Sequence, residues 1–142
     1  MQGYKMKINQ KMTTLTGQMF IGENKLYFIS EGSENVLKKA VGKGIGGVVG
    51  AGISSRSNSQ THEGIDGDFS EEELQKFVSE IPDSTIFEAN KISLLRHDWM
   101  IRMMKYDGKN VGMPDGFPKE IQKPLGEWAR KFNIKTKGKG FN

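Results

Sequence analysis

Cysteine is absent from this chain of 142 residues. The chain can therefore form no disulfide, no thiolate metal site and no cysteine nucleophile. Long hydrophobic runs are scarce too, and the opening MQGYKMKINQKM contains no apolar signal-peptide core. No segment reaches the roughly 20 apolar residues that a membrane-spanning helix needs. We therefore expect no signal peptide and a cytoplasmic protein whose contact with a membrane, if it makes one, is peripheral.

The chain also lacks the long basic stripe with interleaved aromatic residues that is typical of nucleic-acid-binding proteins. Its net charge of +4 is distributed in blocks. Residues 62–88 hold nine acidic side chains and one basic one, whereas residues 119–142 hold seven basic and two acidic ones. This pattern predicts an acidic surface patch between basic ones, and we do not expect a nucleic acid as the partner.

No catalytic or metal-binding motif is complete in the sequence. Asp66 and Asp68 resemble the opening of a calcium-binding loop, but Glu71 and Phe77 stand where that loop needs glycine and glutamate. We therefore expect no metal and no cofactor, and we do not expect an enzyme.

The two histidines, His62 and His97, give the alternative hypothesis of an active site. His97 is followed by Asp98, but a His–Asp pair needs a nucleophile, and the sequence nominates none. An ordinary turn pair is the simpler interpretation. The alternative is a small enzyme or ligand-binding protein whose site is assembled from loops around His97, Asp98 and Asp107.

What the chain has in excess is glycine, and six glycines fall within residues 41–53, VGKGIGGVVGAGI. Gly42, Gly46 and Gly50 are four residues apart, so a helix would stack them on one face that another backbone could approach closely. Each glycine costs a helix about 1 kcal/mol relative to alanine, which favours a loop instead. Both interpretations stay open, and this face is our candidate association element.

Two further features surround this stretch. Residues 42–47 match G-x-G-x-x-G, but the dinucleotide fingerprint needs a preceding strand, and a polar, helix-like segment precedes them here. Residues 54–68 form a polar linker rich in serine and glycine. We expect neither nucleotide binding in the first segment nor regular structure in the second.

The strand signals begin with a hairpin. Residues 19–21 and 26–29 are apolar, β-type runs on either side of the turn residues 22–25. The preceding residues 1–11 are polar and basic, and they predict either an extra strand or a loose arm.

Three more strands are predicted later, over residues 85–95, 99–106 and 109–113. Asp107-Gly108 is a strong two-residue hairpin turn between the last two strands. Within the middle strand, we interpret Met100, Met103 and Met104 as packing residues.

The clearest helix signal lies at residues 70–81. Ser70 and Glu73 form a capping box there, and Pro82 ends the segment. Its apolar stripe consists of Leu74, Phe77, Val78 and Ile81.

A second amphipathic helix follows Pro118. Its stripe consists of Ile121, Leu125, Trp128 and Phe132. Pro124 lies inside this segment and predicts a kink near residues 120–124.

The order of these elements resembles pleckstrin-homology-like (PH-like) and GRAM-type domains. GQMFIGENKLYFIS is similar to their opening hairpin, FEANKISLLRHDWMIRMMKYDGK is similar to their later strands, and a C-terminal helix bearing Trp128 follows. The matching positions are Gly17, Phe20, Asn24, Lys25, Leu26, Phe28 and Ile92. The basic phosphoinositide-binding pattern is not recognisable, so the resemblance transfers no binding residue.

The resemblance implies an α+β domain at residues 1–134, with a strongly bent antiparallel sheet or partly open barrel capped by the C-terminal helix. Residues 33–82 are an insertion relative to that family, and residues 135–142 are predicted to be a basic flexible tail. A ferredoxin-like arrangement is the rival fold.

The implied function is a non-enzymatic interaction module. It would bind a protein partner or a membrane surface, or associate with itself through the glycine-rich stretch. A surface that binds by charge through Lys135, Lys137 and Lys139 is a further hypothesis.

Overall fold

The computed structural model describes residues 2–10, 12–32 and 69–141. Over this part the chain is α+β, with two four-stranded sheets that do not close and two α-helices. A 3₁₀ turn at Ala89–Lys91 connects the sheets. The strands are β1 (Gly3–Gln10), β2 (Thr13–Ile21), β3 (Lys25–Gly32), β4 (Thr85–Glu88), β5 (Ile92–His97), β6 (Arg102–Tyr106), β7 (Lys109–Gly112) and β8 (Lys135–Lys137), and the helices are α1 (Glu71–Glu80) and α2 (Lys119–Lys131).

Sheet 1 contains β1, β2, β3 and β4 in chain order, and all neighbouring strands are antiparallel. The predicted hairpin is confirmed, because Ile21 pairs with Leu26 and the amide of Gly22 donates to the carbonyl of Lys25 at 2.8 Å. Of the two alternatives for the first residues, the structure has the strand. Its alternating side chains place Met6 and Ile8 in the core.

Helix α1 covers one face of sheet 1, and the main core lies on the other face. The capping box is confirmed, because Ser70 Oγ accepts from the Glu73 amide at 3.2 Å and the Glu73 carboxylate accepts from the Ser70 amide at 3.1 Å. The alternation of β-strand side chains separates the two faces. The residues buried on the α1 face are Phe20, Tyr27, Ile29, Phe69, Leu74, Phe77 and Ile81.

Sheet 2 has the order β7-β6-β5-β8. The predicted β6–β7 turn is confirmed, with Asp107 and Gly108 both at positive φ, as a two-residue hairpin turn of type I′ requires. The prediction of one strand over residues 85–95 is wrong. Residues 89–91 turn the chain out of sheet 1, so β4 and β5 lie in different sheets.

Helix α2 packs its predicted stripe into the main core. Ile121, Leu125 and Trp128 are buried, and Phe132 is half-buried at the helix end. The helix continues through Pro124. The Trp128 indole donates to the carbonyls of Gly22 and Glu23 at 3.0 and 3.2 Å, which ties α2 to the β2–β3 turn.

The prediction of a flexible tail is wrong for residues 135–141. Strand β8 pairs in parallel with β5, and the Phe141 side chain is 1% exposed. The Arg130 guanidinium donates to the Phe141 carbonyl at 2.7 Å, and a Cβ at Gly126 would overlap that carbonyl. Burial of one aromatic ring therefore anchors a segment that is otherwise polar.

The glycine-rich stretch 41–53, with Gly42, Gly46 and Gly50, lies outside the described residues. So do the linker 54–68 and His62. The predictions made for them stay predictions.

Candidate functional site

His97 lies at the end of β5, where its half-buried ring supports the chain before α2. Its Nδ1 atom accepts from the Phe117 amide at 3.1 Å, and the Gln122 side chain donates to the Phe117 carbonyl at 2.8 Å. Burial and the nearby Arg102 lower the pKa of His97, although Asp98 opposes that shift. The neutral ring, with its proton on Nε2, is the form that fits these contacts.

The Asp98 carboxylate builds the loop between β5 and β6. One oxygen accepts from the amides of Met100 and Ile101, at 2.9 and 2.6 Å, and the other accepts from the Arg96 guanidinium at 2.7 Å. The Ile101 amide and Arg96 together hold the pKa of this carboxyl at about 2. Asp98 is therefore ionised at neutral pH, and it fixes the backbone of the loop.

The structure does not bring together the three residues proposed for an active site. Asp107 lies in the β6–β7 turn, at the opposite end of β6 from Asp98. His97 and Asp98 hold different chain segments in place through the contacts above.

The loop that Asp98 fixes exposes three consecutive apolar side chains. Trp99 is 86% exposed, Met100 67% and Ile101 38%. We call residues 99–101 the apolar loop. The prediction that they belong to a strand, with Met100 as a packing residue, is wrong, because the strand begins at Arg102.

The other two methionines of that prediction lie within β6. Met104 is fully buried, as expected, and Met103 is half-buried. The sequence alone cannot show which of the three methionines is buried, because the residues on both sides of the first residue of β6 are apolar.

Basic residues lie on β8, which pairs with the strand that leads into the apolar loop. Arg96 pairs in register with Lys137 of β8. Gly138 has a positive φ, and a Cβ there would overlap the carbonyl oxygen of His97, so the β8 chain passes directly beside the loop's base. The side chains of Lys137 and Lys139 are exposed. We call Lys137 and Lys139, which are exposed on the chain next to the loop's base, the basic flank.

Two clefts of about 410 Å³ each are among the concave features of the described residues, and they share Gln10 and Thr85. Their described lining includes no histidine, and it combines hydroxyl and amide side chains and a few apolar ones with the charged residues Asp83, Asp107 and Lys109. In the described ranges, no three histidine or carboxylate side chains are grouped so that they could bind a metal ion. The clefts therefore carry polar and charged side chains but, among the described residues, no group suited to a metal ion.

Comparisons with protein-family models, with curated proteins and with solved structures find no match to this chain. Neither described helix has the length and apolar composition needed to cross a membrane. The candidate site is therefore defined by its geometry alone. The sequence did not predict the apolar loop as a site. An aspartate whose side chain hydrogen-bonds to the backbone two residues further on is nevertheless a known turn signal.

Proposed function

We propose that this chain is a non-enzymatic, PH-like interaction module that attaches to a membrane surface through the apolar loop. The observation that carries the proposal is the exposure of Trp99, at 86%, on a loop whose backbone Asp98 fixes. A fixed loop loses little further conformational freedom when it binds, which favours its use as a contact.

The PH-like part of the proposal is supported by the chain order of the elements. In the described part of the chain, seven strands, paired antiparallel with their neighbours in two sheets, precede a C-terminal helix whose apolar face covers the core. This agrees with the resemblance carried by the opening hairpin and by Trp128. Helix α1, inserted between β3 and β4, departs from that pattern.

The composition of the loop suits a membrane surface. Tryptophan is enriched at membrane interfaces, where its ring is partly in the apolar region and partly in the headgroups. Moving an exposed apolar side chain out of water contributes about 1.5–3 kcal/mol when burial is complete. The tip would therefore give weak attachment by itself.

The basic flank can supply the remaining affinity. A lysine or arginine near an anionic bilayer contributes about 1 kcal/mol. Lys137 and Lys139 are exposed beside the loop and are suited to this role, whereas Arg96 is already paired with Asp98. We expect weak, reversible and salt-sensitive binding to anionic membranes.

Cosedimentation with vesicles tests the proposal. The full chain should pellet with vesicles of equal phosphatidylcholine and phosphatidylglycerol, and less with pure phosphatidylcholine. The double variant W99S/M100S should lose most of this binding. M12S is the matched control, because Met12 is fully exposed in the β1–β2 turn of the other sheet.

Two results would contradict the proposal. One is a wild-type chain that fails to pellet with either vesicle, which would favour a protein partner. The other is equal loss of binding in M12S and in the double variant, which would mean that the apolar loop has no special role.

The glycine-rich stretch is a second candidate contact, carried by the sequence pattern of Gly42, Gly46 and Gly50. We retain it as a proposed association element, for a protein partner or for a second copy of the chain. We do not propose an active site at His97 and Asp98, because the contacts of both side chains hold the fold together.

A further inference from the structure

We propose that Met100 is an oxidation site, and that its conversion to the sulfoxide weakens the attachment of the apolar loop to a membrane. This inference rests on the proposed function, since it concerns the regulation of the same loop. It identifies a modification site and the class of reagent that acts there, a peroxide.

The exposure of the methionines makes the reaction selective. Among the seven methionines that the structure describes, Met12 and Met100 are more than half exposed. Met103 is half-buried, and the remaining four are buried, namely Met6, Met19, Met104 and Met113. A mild peroxide treatment should therefore oxidise Met100 and Met12 well before the core methionines.

The chemistry requires only the peroxide. The thioether sulfur of Met100 gives two electrons to hydrogen peroxide and takes one oxygen atom, and the other oxygen leaves as water. The product is a polar sulfoxide, which methionine sulfoxide reductases can reduce again.

The fold should tolerate this change. The backbone amide of Met100 donates to Asp98 at 2.9 Å and so connects this residue to the rest of the loop. Its side chain is 67% exposed to water. The sulfoxide oxygen would therefore remain hydrated in the free protein. At a membrane the same oxygen would have to give up water as the tip is buried, which opposes binding.

The experiment uses the full chain, hydrogen peroxide and vesicles of equal phosphatidylcholine and phosphatidylglycerol. Peptide mass mapping follows oxidation at each methionine and at Trp99. We expect oxidation at Met100 to weaken vesicle binding on the order of tenfold, about the effect of losing one buried apolar side chain. Treatment with methionine sulfoxide reductase should restore it.

Two leucine variants separate the sites. The vesicle binding of M100L should be the same before and after peroxide, because leucine is apolar and forms no sulfoxide. M12L should still lose binding after peroxide, because Met100 remains oxidisable. Near-ultraviolet circular dichroism of the oxidised chain should be unchanged.

The inference is overturned if mapped oxidation of Met100 leaves the affinity unchanged, or if M100L loses binding as the wild type does. It is also overturned if Met12 is oxidised while Met100 resists. If the proposed function is wrong, by contrast, the double variant W99S/M100S binds vesicles as well as the untreated wild type does. If the untreated chain binds neither vesicle, both proposals are wrong.

Discussion

The Nδ1 atom of His97 accepts a hydrogen bond from the backbone amide of Phe117, at 3.1 Å. This bond joins the end of β5 to the chain that leads into α2. It requires an unprotonated Nδ1, so protonation of the ring would break it. A contact between the second sheet and the helix that covers the core is therefore sensitive to pH.

Acidification should destabilise the protein through His97. Burial, first, and then Arg102 lower its pKa below the ordinary 6.5. The unfolded chain therefore binds a proton near pH 6.5 that the folded chain binds only at lower pH. Stability should be full above that pH and should fall as pH decreases through 6.5 toward the folded pKa.

The variant H97N isolates this effect, because asparagine offers an acceptor near the position of Nδ1 and does not titrate. Urea unfolding at about pH 7.5 and about pH 5.5 should show a smaller loss of stability in H97N than in the wild type. Identical losses in the two proteins would mean that His97 does not set this pH dependence.

Trp128 should be the most costly single truncation on α2. W128A removes a buried aromatic side chain, and it should lower the free energy of unfolding by about 3–5 kcal/mol. W128F keeps most of the ring but loses the bonds to Gly22 and Glu23, and it should cost about 0.5–1.5 kcal/mol for the lost hydrogen bonding. Urea unfolding measures both. An unchanged W128A would show that α2 is not part of the core.

The capping box of α1 should contribute measurably to stability. S70A removes the side chain that accepts from the Glu73 amide, and it should cost about 1 kcal/mol. S70T, which keeps a hydroxyl, is the matched control. Amide hydrogen exchange over residues 71–77 should accelerate in S70A. An exchange rate equal to that of the wild type would mean that the helix begins at another residue.

The glycine face of residues 41–53 gives a prediction for assembly. If Gly42, Gly46 and Gly50 form a contact face, G46L should weaken self-association or vesicle pelleting, because a large side chain prevents close approach of the backbone. G44L is the control, since that position faces another side of such a helix. Light scattering would give the oligomer mass. Equal effects of G46L and G44L would exclude a contact face formed by Gly42, Gly46 and Gly50.

Local signals predicted the elements that depend on nearby residues. The turn after Ile21, the Asp107-Gly108 hairpin and the Ser70–Glu73 capping box each act within a few positions, and each is present. The sequence of the α2 stripe likewise predicted which side chains are buried, because a helix fixes which residues share a face.

The candidate site was missed for a physical reason. Residues 99–104 read Trp-Met-Ile-Arg-Met-Met, and an apolar run of this kind carries no sign of which side chains face water. The position of the boundary is set by the Asp98 side chain, which captures two amides that a strand would have used.

The C-terminal strand was missed because its stability comes from distant residues. Lys135–Lys137 is polar and short, and it is held by pairing with β5, by the burial of Phe141 and by the hydrogen bond from Arg130 to the Phe141 carbonyl. Propensity along the chain cannot report a partner that lies in another element.

The parallel pairing of β8 with β5 also determines when each sheet can form during synthesis. All four strands of sheet 1 have been synthesised once residue 88 has emerged from the ribosome, so this sheet can begin to fold against α1 early. One edge of strand β5 then stays unpaired until residues 135–137 have been added. The nascent chain therefore carries an open sheet edge beside the apolar loop, and during that interval it is most exposed to aggregation and most suited to a chaperone.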